Sequence, residues 1–163
     1  MARIKPICYE NADVRTKLVC DEYAKKSKLN NMKLTLLHDV TAFDVMNGFH
    51  TLCERAKEFL SELDINLFCY AISFENDCMA CSSVFKAFLD EQGVNFDTFI
   101  MTPVQQVLVS FGRNVADNPH EVDEEQIEEL KEFFTDEQLV LMTSLAAMMV
   151  ASNIFNTVFD IEM

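Results

Sequence analysis

Glycine and proline are almost missing from this chain. Its 163 residues include 3 of each. Backbone turns lean on both, glycine for positive φ and proline for a preset φ. The sequence is filled instead with Leu, Met, Ala, Glu and Lys, which lose little on entering a helix. The chain is therefore expected to be all-α, with short connections. Half of its residues are apolar, which argues against disorder. The length suits one domain with a sizeable core, and no internal repeat or low-complexity linker divides it. A single domain over residues 1–163 is the expectation. With 14 Phe, 9 Met and no Trp, that core should be rich in Phe and Met.

The formal net charge is −14. Such a surface repels polyanions, so nucleic acid and anionic membranes are not expected partners. Solubility is the plain reading of the charge; a basic partner is the other.

Hydrophobic spacing divides the chain into helices. Asn11 is placed to cap one running to about Ser27, with Lys25, Lys26 and Lys28 near its end. Asn30-Asn31 marks a turn before a short apolar piece, Met32 to His38. Thr41 and Asp44 resemble a capping box opening a helix to about Leu63, with Phe43, Met46, Phe49, His50, Cys53, Ala56, Phe59 and Leu60 on one face. Ile65 to Phe74 is nearly continuous in apolar residues, which suits a buried helix or a buried strand; the low Gly and Pro content favours helix. A helix from Met79 should stop at Gly93, and one from Pro103, behind Thr102, near Asn118-Pro119. Asp123 to Phe134 reads as an acidic helix with Ile127, Leu130, Phe133 and Phe134 inward. Thr135-Asp136-Glu137-Gln138 is a full capping box for a long last helix.

That last helix needs weighing. Leu139 to Phe159 carries no charged residue and is long enough to cross a bilayer. Its Ser, Thr and Asn content and the lack of flanking Lys or Arg favour a helix buried in the core or in a subunit interface. The N-terminus has no continuous apolar run of the signal-peptide kind. The six cysteines are not needed as a disulfide scaffold in a helical chain of this length. Cys20, Cys53 and Cys69 fall within apolar patterns, as buried thiols would. A reducing, cytoplasmic setting is expected.

The chemistry-bearing stretch is Cys78-Met79-Ala80-Cys81. The pair falls where an apolar run ends and a new helical pattern begins. Unpaired N–H groups and the dipole at a helix N-terminus favour a thiolate. A zinc site would need two further ligands and no second Cys pair exists, so neither metal nor cofactor is expected. His50, on an apolar helix face, is a core histidine or, if near Cys81, a proton carrier. His38 and His120 fall in connections.

Ala71-Ile72-Ser73, then Asn76-Asp77-Cys78-Met79-Ala80-Cys81, resembles the core of the carboxymuconolactone decarboxylase-like or alkylhydroperoxidase AhpD-like family. So do the capped start at Phe134 to Val140 and the ending Asn153 to Glu162, with its two Asn three apart. The resemblance implies an all-α fold and a homo-oligomer, commonly a trimer or hexamer. It implies reduction of peroxides by the Cys pair, with Cys81 attacking and Cys78 resolving, and a dithiol or lipoylated electron donor. The family's Glu and His relay falls on Asn66 and Phe85, which do not titrate. His50 is then the candidate surrogate relay. The alternative is a catalytically degenerate member that serves as an oligomeric binding or assembly protein.

Overall fold

Helices begin in this protein where a side chain can cap them. The computed structural model describes residues 2–162, which hold eight α-helices. They are α1 Val14–Ala24, α2 Asn31–Leu36, α3 Val40–Ala56, α4 Glu62–Glu75, α5 Met79–Glu91, α6 Pro103–Asp117, α7 Glu124–Lys131 and α8 Asp136–Phe159. Asp13, Asn30, Asp39, Ser61, Thr102, Asp123 and Thr135 each accept the N–H three residues on. The exception is α5, whose N-cap is Cys78 and whose cap makes no side-chain hydrogen bond.

Several boundaries correct the sequence expectation. Asp13, not Asn11, caps α1, and Asp39 caps α3 in place of the Thr41–Asp44 box. The helix expected to reach Leu63 stops at Ala56. A capping box of Ser61 with Asp64 restarts the chain as α4, so local side-chain bonding overrides the continuing apolar period. After the shorter α7, Phe134 is buried and Phe133 exposed, so only one of the two faces inward.

The Ile65–Phe74 run is helix. Its even hydrophobicity has a simple cause: α4 is central, packing on α5, α6 and α8, and Leu67, Phe68, Cys69, Ala71 and Ile72 are fully buried around it. Gly112 on α6 allows a close approach there. A Cβ at that position would lie 2.8 Å from the Phe68 ring.

The last helix, α8, starts at the expected box and packs against α3, α4 and α6. By length and composition it could cross a membrane. Its inner face carries Met142, Leu145, Ala146 and Met149, followed by buried Ser152, Asn153 and Asn156. Its outer face leaves Val140, Ile154 and Val158 exposed. The N-terminal strap, with α1 and α2, has its own small apolar cluster of Cys20, Tyr23, Leu36, Leu37 and Phe43. Backbone contacts hold it down, including Arg3 N–H to the Phe159 carbonyl at 2.9 Å.

Candidate active site

The cysteine pair is placed by the way α4 ends. Asp77 takes the left-handed conformation with φ 51°. The N–H of Cys78 returns to the Ser73 carbonyl at 3.0 Å, and that of Asp77 to the Phe74 carbonyl at 3.1 Å. This double closure is a Schellman motif, with Asp where Gly is usual. Cys78 therefore closes α4 and caps α5 at once. Cys81 lies one turn on, at the third helical position. Both thiols are free and buried, 3% and 7% exposed.

Their environments pull in opposite directions. The Cys81 thiol is the largest influence lowering Cys78, opposed by burial. The N–H groups of Cys81 and Ala80 and the Thr157 hydroxyl also favour its thiolate, and the Cys78 pKa falls to about 6. Cys81 is pushed well above the ordinary thiol range, first by its interaction with Cys78 and then by burial. A side-chain N–H of Asn156 opposes that rise, donating to the Cys81 sulfur at 3.0 Å.

Asn156 belongs to a polar strip on the inner face of α8. The neighbouring Asn153 amide donates to Asn76 Oδ1 at 3.0 Å, and Asn76 donates to the Ala116 carbonyl at 2.9 Å. The Asn156 carbonyl accepts the Ile161 N–H at 2.9 Å, behind a second left-handed aspartate, Asp160. The sequence marks Asn153 and Asn156 only through the C-terminal resemblance. The usable signal was their position among apolar residues on an uncharged helix.

Cys81, not Cys78, lines a mainly apolar cavity of about 280 Å³. Met46, Phe49, Phe85 and Met149 form much of its wall, and α2 of the strap adds Met32, Lys33 and Leu36. Phe85 thus puts an apolar ring at the position the family resemblance gives to His. Asn66 is not in the cavity wall; its amide donates back to the Glu62 carbonyl. His50 lines the cavity too, but it is exposed, and its Nε2 is 3.2 Å from the Tyr23 hydroxyl. The ring itself is partly desolvated against Tyr23 although the residue as a whole is exposed, and this and then Lys33 lower its pKa. Lys86 pairs with Asp90, away from the thiols. His38 and His120 are exposed. Among the described residues, no cluster of three His, Cys, Asp or Glu side chains is placed to hold a metal.

No protein-family model matches the sequence, and no curated protein matches it. Solved structures do match. The alkylhydroperoxidase AhpD core of a peroxidase-related protein from Ralstonia eutropha JMP134 aligns with a TM-score of 0.73, covering 99% of this chain and 91% of that one. The fold is AhpD-like. The debrominase Bmp8 shares the arrangement at a TM-score of 0.75, covering 98% of this chain and 91% of its own. A Cys-to-Ala variant of Bmp8, in complex with 2,3,4-tribromopyrrole, also aligns at 0.75, over 98% and 90%. Identities are 21%, 17% and 16%, so the likeness is one of fold. The AhpD-like, all-helical architecture expected from the sequence is the one observed.

Proposed function

We propose that this AhpD-like protein is a thiol oxidoreductase in which Cys81 meets the substrate and Cys78 completes the disulfide. The observation that carries this reading is the division of labour within the pair. Cys81 faces the cavity; Cys78 sits on a helix N-terminus in surroundings that favour its thiolate. The missing Glu and His relay then has a replacement inside the motif. The two sulfurs share one proton, held mostly by Cys81, and Cys81 attacks from the minor form in which that proton sits on Cys78.

With a hydroperoxide, the Cys81 sulfur bonds to the distal oxygen and the O–O bond breaks. The alkoxide takes up the proton and leaves as an alcohol, and Cys81 becomes a sulfenic acid. Cys78 thiolate attacks that sulfur, the sulfenic hydroxyl takes one proton from solvent and departs as water, and the disulfide forms. Two thiols and one peroxide give one disulfide, one alcohol and one water. An external dithiol, such as a lipoylated protein, restores the pair by exchange.

The Bmp8 likeness supports a second electrophile, an organic bromide. Cys81 would take the bromine, and the carbon would take a proton. Cys78 would then displace bromide to give the same disulfide. We also propose a cytoplasmic setting and self-assembly through the uncharged outer face of α8. The competing reading, a degenerate member that acts by assembly alone, draws on Asn66 and Phe85. One experiment separates the two. Under stoichiometric peroxide, mass spectrometry of alkylated peptides should find a reversible Cys78–Cys81 disulfide. Unlinked, inert thiols would leave the assembly reading.

A further inference from the structure

The cavity beside Cys81 has polar side chains in its wall that the dithiol chemistry does not use. Lys33, on the strap, lines the cavity together with His50. Its ammonium lies 4.5 Å above the Tyr23 ring, and the Tyr23 hydroxyl reaches His50. The chain has 27 acidic and 13 basic residues, and among the described residues five of the basic side chains pair with carboxylates. Arg55, Lys57, Lys86, Arg113 and Lys131 all face carboxylates. Among the described residues, Lys33 has no such partner within 4.0 Å; its ammonium rests on the aromatic face.

A lysine without a carboxylate partner in the wall of an apolar cavity favours one kind of molecule. The body must be apolar to fill the Met- and Phe-lined interior. The outer end must carry negative charge, against a protein whose overall field repels anions. At about 280 Å³, the space lies just below the roughly 300–1,000 Å³ of drug-sized sites, so the ligand is fragment-sized.

We infer that Lys33 and His50 form an anion subsite, and that the cavity takes a small amphipathic organic anion with its apolar end toward Cys81. The orientation rests on the reading of Cys81 as the reacting thiol; the subsite itself does not. It predicts that a carboxylate-bearing substrate is preferred over an uncharged one of the same shape.

Hexanoate and hexanamide test this, since they share a chain and differ in charge. Titrations followed by protein NMR should show hexanoate binding about three- to fivefold tighter, the range for a partly exposed ion pair. Lys33→Met keeps the packing on Tyr23 and should remove the preference while leaving hexanamide unchanged. Lys33→Glu should reverse it. Equal binding in the unmodified protein, a preference that survives Lys33→Met, or no binding of either compound at millimolar concentration would each overturn the subsite. Disulfide formation under hydrogen peroxide is measured separately. Its failure would end the redox reading and leave the hexanoate preference standing.

Discussion

Asn156 and Cys81 are joined by a 3.0 Å hydrogen bond from the side-chain amide to the sulfur. The other end of that amide, Oδ1, is buried and has no hydrogen-bond partner. The arrangement leaves a polar atom unsatisfied in order to put a donor on the thiol.

Asn156→Leu separates these two effects. It removes the donor, worth about 1.5–3 kcal/mol toward a charged sulfur, so disulfide formation at stoichiometric peroxide should slow by at least tenfold. It also removes the unsatisfied oxygen, so thermal stability should hold or rise. Stopped-flow thiol assays beside a melting curve give both answers. Equal rates would make the contact a packing detail.

Cys78 sets a pH dependence of known sign. Its folded pKa is about 6 against an ordinary 9.0, so the folded state favours the thiolate. That stabilisation is complete above about pH 9 and is lost as pH falls through about 6. Cys81 runs the other way: with its pKa raised, its contribution is complete below about 9 and is lost as pH rises beyond. Denaturant midpoints should climb between pH 6 and 9 and climb less in Cys78→Ser. Thiolate absorbance should show one early titration per chain, absent in the same variant.

His50 tests the surrogate-relay expectation. Its ring nitrogen bonds to Tyr23, so His50→Gln should leave the thiolate titration and the rate of disulfide formation within about twofold of the parent. A rate tenfold lower would return His50 to the relay.

Two backbone positions predict stability changes of opposite sign. Asp77 occupies a left-handed conformation, so Asp77→Gly should stabilise by roughly 1 kcal/mol. Gly112→Ala would drive a methyl to 2.8 Å from the buried Phe68 ring, and should cost about 1–3 kcal/mol. Chemical denaturation measures both.

The sequence carried the architecture well wherever a local rule had a single answer. Thr135 with Gln138, and Thr102 with Pro103, mark their helices without tertiary help. Rival caps a few residues apart were harder: Asn11 against Asp13, or Thr41 against Asp39. There the winner depends on which start lets the following helix meet the core. The thiol pair was legible as a motif, but the contrast between its members was not. That contrast comes first from the two sulfurs acting on each other and from burial, with Thr157 on α8, 79 residues from Cys78, adding to it, and from a cavity wall supplied partly by α2. Lys33 carries no signal in the sequence; its place in the cavity wall and over Tyr23 comes from the packing of the strap.

The junction at Asp77 has a mechanical consequence. With three residues between α4 and α5, no slack loop isolates Cys78 from either helix. A disulfide to Cys81 must draw the two Cβ atoms to about 3.8 Å, and the first turn of α5 has to absorb the movement. The redox state of one bond is therefore felt at two helix ends at once, in the opening turn of α5 and in the closing turn of α4.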